Sequence, residues 1–291
     1  MKRVAVLGST GMAGHVITAY LKEHGYDMYT ASRSEKNGPQ SKQLSADDFE
    51  GLSTWLQDIK PDVIINCIGV LQRQAEERPD VAILINSYLP QWLANRFRST
   101  TTKVIHLSTD CVFSGKRGGY METDEPDGVT IYDRSKALGE INNHKDLTFR
   151  MSIIGPDRHE AGTGLFHWFM GQHGEILGYS NVIWNGVTTI ELARAIDAAI
   201  KQDLSGLYQL TPENAIDKYR LLLLFRDTFQ KKDITIAPYD GIRIDKTLIN
   251  TRKDFAFDIQ PYYQQIQDMK DWIAEHRLFY GNRYHVDDML S

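Results

Sequence analysis

Short apolar runs followed by amphipathic stretches alternate through the first half of the chain. Residues Arg3 to Leu7 read as a buried strand. The stretch behind them pairs Val16 with Tyr20 and Ile17 with Leu21 at the i,i+4 spacing of a helix face, and Gly25 reads as its C-terminal cap. Residues 27–31 read as a second strand. Leu52, Trp55, Leu56 and Ile59 form a helical stripe, after which Pro61-Asp62 opens a strand over 63–67. Residues 81–97 carry Ile85, Leu89, Trp92 and Leu93 on a helix that Pro90 is expected to kink. Residues 104–107 form the next strand, Leu138 falls in a following helix, and 147–151 form a further strand. Alternation of this kind predicts an α/β fold, a doubly wound parallel sheet with right-handed crossovers.

The pattern changes after about residue 155. Gly155-Pro156 breaks the last strand, and Gly162-Thr163-Gly164 reads as a loop. Thr188-Thr189-Ile190-Glu191 reads as a capping box that opens an Ala-rich helix to about Gln202. Residues 206–210 form a short strand. The expected division is therefore a first domain of residues 1–156 plus about 187–210. A smaller mixed α/β lobe, about 157–186 plus 211–291, would close over the strand ends. Gly115-Lys116-Arg117-Gly118-Gly119 reads as a flexible loop, either an edge of the site or a solvated turn.

Two motifs carry chemistry. Gly8-Ser9-Thr10-Gly11-Met12-Ala13-Gly14 stands between the first strand and the first helix, the context a dinucleotide-binding glycine turn requires. Gly8 permits the tight turn, Gly11 lets the backbone approach a pyrophosphate, and Gly14 lets the helix pack close, with the pyrophosphate on the helix N-terminus. The first domain is thus of Rossmann type. The second motif is Tyr132-Asp133-Arg134-Ser135-Lys136. A Tyr and a Lys four apart on a helix share a face, and the ammonium is expected to lower the phenol pKa. Thr109, at a strand end, would add a second hydroxyl. The glycine loop, Cys67-Ile68-Gly69, Thr109 and Ser152 all fall at carboxyl ends of expected strands, where such sheets bind ligands.

The 291 residues suffice for one large or two smaller domains. A formal net charge of −5 argues against a nucleic-acid partner held through phosphates. No apolar run exceeds five residues, and Leu221 to Phe225 is flanked by Arg220 and Arg226, so no membrane span of about 20 residues is expected. The chain enters its first strand at once, without a signal-peptide pattern. Two cysteines, Cys67 and Cys111, make neither a disulfide framework nor a metal site and read as reduced thiols of a cytoplasmic protein.

Together these residues resemble the extended short-chain dehydrogenase/reductases, and more closely the dTDP-4-dehydrorhamnose reductase (RmlD-like, sugar nucleotide-binding) family. The matching pieces include the glycine segment, Pro61-Asp62-Val63-Ile64-Ile65-Asn66, Asn86, Leu107-Ser108-Thr109-Asp110-Cys111-Val112-Phe113, Glu122-Thr123-Asp124-Glu125-Pro126, Tyr132 to Glu140 and Arg150-Met151-Ser152. The resemblance implies NADPH-dependent reduction of a nucleotide-activated 4-keto-6-deoxy sugar for surface polysaccharide synthesis. Tyr132 would be the general acid, Lys136 would hold the nicotinamide ribose and tune Tyr132, and Thr109 would bond the same carbonyl oxygen. Gly8, Thr10, Gly11, Met12 and Gly14 would hold the pyrophosphate, with Cys67, Ile68 and Gly69 beside the adenosine ribose and Asn86 and Ser108 completing the cofactor site. Asp110, Cys111, Ser152, Trp184, Asn185 and Arg252, with Lys246, are the expected substrate contacts, Arg252 as a bidentate partner of the diphosphate. The second strand ends in Ser32-Arg33-Ser34 with no carboxylate among them. Arg33 and Ser32 would therefore take the 2′-phosphate of NADPH, with NADH also accepted. A homodimer is an expected assembly.

The chain departs from the family pattern in places. Cys111 stands where Tyr is usual, Asp133 follows the Tyr in place of Gly, and the residues after Cys67 lack the common Ala-Ala-Tyr/His-Thr. Ser45-Ala46 occupies the place of an adenine-facing Asp, and Trp184-Asn185-Gly186-Val187-Thr188-Thr189 replaces Gly-x-Pro-Thr. These differences leave the nucleotide and the sugar open, a UDP-linked 2-acetamido sugar included. Two alternatives stand beside the reductase: an epimerase with tightly held NAD, and a non-catalytic regulatory nucleotide-binding subunit. Cys111, where a dehydratase carries Glu, argues against dehydration.

Overall fold

The apolar runs of the first half become the buried strands of one parallel sheet. The computed structural model describes residues 1–284. From the N-terminus, β1 (Arg3–Leu7), α1 (Met12–Glu23), β2 (Asp27–Ser32), β3 (Ser41–Gln43), α2 (Phe49–Ile59) and β4 (Val63–Asn66) alternate. Next come α3 (Gln72–Glu77), α4 (Pro79–Ala82), a π-helical stretch (Ile83–Tyr88), α5 (Leu89–Arg96), β5 (Lys103–Leu107), α6 (Ile131–Gly139), β6 (Leu147–Arg150) and β7 (Ile153–Ile154). The chain continues through α7 (Leu165–Met170), β8 (Gly174–Tyr179), β9 (Val182–Trp184), β10 (Val187–Thr188), α8 (Thr189–Gln202) and β11 (Gly206–Gln209). It ends with β12 (Ile216–Asp217), α9 (Lys218–Thr228), β13 (Ile234–Tyr239), β14 (Ile244–Asp245), α10 (Tyr262–Glu275) and α11 (Arg277–Tyr280).

The main sheet has seven strands in the order β11-β6-β5-β4-β1-β2-β3, and every pair in it is parallel. Alternate residues of β1 face two cores. Val4 and Val6 join Val16, Ile17 and the α8 residues Ile196 and Ile200, whereas Ala5 joins Leu52, Leu56, Leu89 and Leu93 of α2 and α5. Both faces are thus covered, as an all-parallel sheet requires. Successive strands run outward in opposite directions from β1 and β4. This order reversal opens a crevice above their carboxyl ends, the switch point where doubly wound sheets take ligands.

Three features depart from the pattern expected of the sequence. β3 is a polar edge strand, Ser41-Lys42-Gln43, exposed enough to need no apolar signature. The kink expected at Pro90 is realised upstream, as the π-helical stretch Ile83–Tyr88. Pro90 has no N–H for the Asn86 carbonyl, and a Cβ at Gly139 of α6 would overlap that same carbonyl oxygen. The capping box at Thr188 is only half formed. Thr188 Oγ1 accepts from the Glu191 N–H at 3.2 Å, but the Thr188 N–H goes to Gln265 Oε1 at 2.9 Å. The Glu191 carboxylate instead accepts from the Gln260 N–H at 2.8 Å.

Outside the main sheet, β8 pairs in parallel with β13, and β9 lies between β12 and β14. The 115–119 loop is no free turn. The Asp245 N–H donates to Gly115 O at 2.9 Å, and Gly115, at φ +79°, lies against Ile244 and Lys246. Residues 285–291 of the expected second lobe lie outside the described residues.

The close approach of α6 to the π-helical stretch sets up a stability test. Gly139→Ala should destabilise the fold by about 1–3 kcal/mol through overpacking, lowering the melting temperature by at least about 3 °C. Gly171→Ala, where the nearest atom is 3.6 Å from the added methyl, should leave it unchanged. Equal melting curves for the parent and Gly139→Ala would show that this approach is not tight.

Candidate active site

The site is organised by the end of β5. Beyond Leu107, the Ser108 N–H donates to Phe149 O at 2.7 Å and the Asp110 N–H to Met151 O at 3.2 Å, so the segment stays locked to β6. Thr109 then caps a single 3₁₀ turn, its Oγ1 accepting from the Cys111 N–H at 3.1 Å. The same hydroxyl donates to Asp110 Oδ1 at 3.2 Å, and its influence on the neighbouring Tyr132 phenol favours the ionised form.

Tyr132 is delivered by the first turn of α6. Thr130 and Asp133 form a full capping box there: the Asp133 N–H reaches Thr130 Oγ1 at 3.1 Å, and the Thr130 N–H reaches Asp133 Oδ2 at 3.2 Å. Asp133, the departure from the family pattern, thus fixes the helix start beside Tyr132. One turn on, Lys136 is buried and its ammonium donates to Leu107 O at 2.6 Å. Burial pulls its pKa down to about 8, against the opposing pull of the Glu140 carboxylate and the Cys67 thiol.

The expected lowering of the Tyr132 pKa is reversed. Burial, followed by the neighbouring Cys111, holds the phenol well above its ordinary value, and one of the three N–H donors of Lys136 goes to the Leu107 carbonyl. The phenol remains protonated across the neutral range, the state a proton donor needs.

A buried ion pair backs this layer. Arg150, 2% exposed, donates from Nε to Glu140 Oε1 at 2.8 Å and from Nη2 to Oε2 at 2.6 Å. Ser108 Oγ donates to the same Oε1 at 2.7 Å, and the guanidinium lies 4.9 Å above the Phe113 ring. Glu140 ends α6 and Arg150 ends β6, so the pair ties the helix to the sheet. Ser108, expected at the cofactor, is spent on this tie. The Asn86 side chain is likewise engaged within the protein. It is fully buried, with Oδ1 accepting from the Val70 N–H at 2.8 Å and Nδ2 donating to Val70 O and Ser135 Oγ.

The glycine loop forms at the end of β1. Gly8 has φ +79°, its N–H donates to Ala31 O at 2.8 Å, and its carbonyl accepts from the Gly11 N–H at 3.1 Å. A Cβ at Gly14 would overlap the Gly8 carbonyl. Gly11 is the N-cap of α1 and offers no side chain, so the first N–H groups of the helix, with Met12 at its start, are open to an anion. Ile68 touches Gly8 from the end of β4, placing Cys67-Ile68-Gly69 beside the loop. Burial pushes the Cys67 thiol up to about 12. Gly164, at φ +94°, faces the Met12 thioether, so the 162–164 loop crosses the same helix start.

At the end of β2, Ser32 is buried, its Oγ without a partner among the described residues. Arg33 is exposed. Thr10 Oγ1 and Ser34 Oγ lie 3.0 Å apart. The expectation that no carboxylate stands here fails, because Glu35 folds back and accepts from Ser9 Oγ at 2.6 Å.

The substrate side is revised most. Asp110 and Cys111 form the 3₁₀ turn directly after Thr109. Burial raises the Asp110 carboxyl, opposed by the charges of Lys246 and Lys218, and pushes the Cys111 thiol up to about 11. Gln72 Nε2 lies 3.7 Å from Cys111 Sγ. Ser152 stays beside them, its carbonyl held by the Val187 N–H at 2.9 Å. Trp184 is only 4% exposed and packs against Tyr262. It serves as a floor for Lys218, whose ammonium lies 4.7 Å from the ring centroid. The Asn185 amide is spent on the backbone of Leu248, at 2.8 and 3.0 Å. Arg252 points elsewhere: it donates to Ser205 O at 2.6 Å and Leu207 O at 3.0 Å, at the amino end of β11, and pairs with Asp254.

Lys218 stands beside Trp184 and Asp110 without having been expected from the sequence. Burial lowers its pKa to about 8, while Asp110 favours its charge. The sequence carries no signal for it: Lys218 follows Asp217, whose carboxylate caps α9 by accepting from the Arg220 N–H at 2.8 Å.

Residues 1–240 match the RmlD substrate binding domain family. Among curated relatives, the chain is 29% identical over 68% of its length to dTDP-4-dehydrorhamnose reductase of Salmonella typhimurium, covering 70% of that protein. It is 28% identical over 54% of its length to methionine adenosyltransferase 2 subunit beta of Xenopus tropicalis, covering 48% of that protein, so the match spans about half of this second relative. The fold is similar to the crystal structure of dTDP-4-dehydrorhamnose reductase from Bacillus anthracis, with a TM-score of 0.78 at 22% identity, covering 92% of this chain and 98% of that one. With the family match running from β1 through β13, beyond half of the chain, this protein belongs to the RmlD-like family of extended short-chain dehydrogenase/reductases.

Proposed function

We propose that the chain is an NADPH-dependent reductase of a nucleotide-activated 4-keto-6-deoxy sugar, supplying a polysaccharide precursor in the cytoplasm. The observation that carries this reading is the placement of Tyr132 and the buried Lys136 one turn apart on α6, with the Lys136 ammonium bonded to the carbonyl of Leu107, two residues before Thr109. The names of similar proteins support it: the Salmonella relative is a dTDP-4-dehydrorhamnose reductase, and the Bacillus anthracis structure is a complex with NADP. Among the described residues, no helix is long and apolar enough to cross a membrane.

The residues present fit a dinucleotide. Gly8 and Gly14 leave bare backbone where side chains would intrude. The uncapped start of α1 suits a pyrophosphate, and the orphaned Ser32 Oγ and exposed Arg33 suit a 2′-phosphate. When bound, the nicotinamide supplies the hydride.

The chain's own residues handle the proton and the charge. As negative charge builds on the sugar carbonyl oxygen, Tyr132 Oη transfers its proton there and Thr109 Oγ1 hydrogen-bonds the same oxygen. Lys136 holds the nicotinamide ribose hydroxyls. Its ammonium also compensates the tyrosinate left behind, which the low dielectric of the pocket would otherwise disfavour. Lys218 and Lys246 flank Asp110 and give the substrate diphosphate a cationic seat. Trp184 supports Lys218 from below.

Tyr132→Phe keeps the ring and removes the proton donor. It should bind NADPH like the parent and lose about 10²–10⁴-fold in kcat; a variant as fast as the parent would exclude Tyr132 as the acid. Lys218→Ala should raise KM for the nucleotide sugar about tenfold or more, the scale of a hydrogen bond to a charged group, with the NADPH Kd unchanged. An unchanged KM would remove Lys218 from the substrate site.

A further inference from the structure

His15 lies in the first turn of α1, only 2% exposed, and both of its ring nitrogens are engaged. Nδ1 stands 2.9 Å from the Gly11 carbonyl oxygen, and Nε2 stands 2.7 Å from the Tyr280 hydroxyl. A carbonyl can only accept, so Nδ1 carries the hydrogen. Burial lowers the His15 pKa to about 4. The ring is therefore neutral near pH 7, and Nε2 is an acceptor. The Tyr280 hydroxyl donates to it and itself accepts from Trp272 Nε1 at 3.0 Å. One directed chain of hydrogen bonds thus runs from Trp272 in α10 through Tyr280 in α11 and His15 in α1 to the glycine loop.

The Gly11 carbonyl already accepts from the His15 backbone N–H at 3.1 Å, so the imidazole is its second donor. The peptide unit that carries this carbonyl also carries the Met12 N–H. The unit is trans and planar, so that N–H points the opposite way, out of the loop. It is one of the uncapped N–H groups at the start of α1. Two donors on the carbonyl fix the plane of the peptide and polarise its N–H toward an anion. The same C-terminal segment also holds the loop that crosses this helix start. The Asp157 N–H donates to the Tyr284 hydroxyl at 2.7 Å, and that hydroxyl donates to Asp157 O at 3.1 Å. Gly164, at the far end of that loop, faces the Met12 thioether.

We infer that His15 is a positioning residue of the dinucleotide site: through the Gly11 carbonyl it aims the Met12 N–H at the pyrophosphate, and Tyr280 holds it in place. The C-terminal segment, 265 positions beyond His15, thereby contributes to the affinity of the glycine loop. This inference rests on the reductase reading, which puts a dinucleotide at that loop.

The test is equilibrium titration of the full chain and three variants with NADPH, followed by nicotinamide fluorescence. His15→Asn keeps an amide N–H close to the place of Nδ1–H but cannot reach Tyr280. His15→Leu fills similar space with no donor. Both lose the Tyr280 bond, so the difference between them isolates the bond to the Gly11 carbonyl. His15→Leu should weaken NADPH about tenfold, the upper end of what one hydrogen bond contributes. His15→Asn should recover most of that loss and stay within about threefold of the parent. Tyr280→Phe keeps the ring and removes the hydroxyl, and it should weaken NADPH about threefold. Parent-like affinity in His15→Leu overturns the inference. Equal losses in His15→Leu and His15→Asn overturn it too, because they trace the effect to packing rather than to the Gly11 carbonyl. Should His15→Leu fail to fold, Tyr280→Phe decides, and an unchanged NADPH Kd there overturns the inference. In each of these cases a parent that binds NADPH leaves the reductase reading standing. A parent that binds no dinucleotide overturns that reading, and this inference with it.

Discussion

A buried lysine ammonium is costly, and the core of this site is arranged around that cost. Stripping an ion of water carries a penalty of several kcal/mol even after relaxation. Lys136 meets it with a 2.6 Å hydrogen bond to the Leu107 carbonyl and with the nearby Glu140 carboxylate. Glu140 is held in turn by Arg150 and Ser108. Each partner comes from a different element: the end of β5, the end of α6 and the end of β6. Satisfying one charge therefore sets the relative position of the three elements that carry Ser108, Thr109 and Tyr132. The departure at Asp133 serves the same geometry, because it caps the helix turn that presents Tyr132.

Around that fixed layer, the two sides of the cleft are built differently. The cofactor side is mostly backbone: a glycine turn, an uncapped helix start and a carbonyl that forbids a Cβ at Gly14. The substrate side is mostly side chain and comes from distant parts of the sequence. The charges of Lys218 and Lys246 act on Asp110 from more than a hundred positions along the chain, and the 115–119 loop is pinned by the segment carrying Lys246. One apolar core continues from β1 through α8 to α9 and α10, so the residues after 210 are anchored to the packing that buries the main sheet.

The difference in origin explains what could be read from the sequence. Strand–helix alternation, the glycine turn and the Tyr132–Lys136 spacing are local patterns, and they appear in the structure as the pattern predicts. Trp184, Asn185, Arg252 and Asn86 were legible only as residue types that bind ligands elsewhere. Their partners here, Lys218, Leu248, Ser205 and Val70, come from sequence positions or backbone groups that no local pattern names. Glu35 escaped because it lies beyond the strand end and returns to Ser9 through the loop. The Tyr132 pKa ran opposite to expectation for a related reason. Spacing puts Lys136 on the same helix face, but the burial that raises the phenol depends on packing.

In the proposed reaction, this constellation would deliver hydride and proton across one sugar carbonyl. The most direct measurement is turnover of a panel of dTDP- and UDP-linked 4-keto-6-deoxy sugars with NADPH deuterated at nicotinamide C4, followed by NMR of the product. The account predicts deuterium on C4 of a sugar still joined to its nucleotide, with one NADPH consumed per product. Deuterium at another carbon, or turnover with no net use of NADPH, would contradict it.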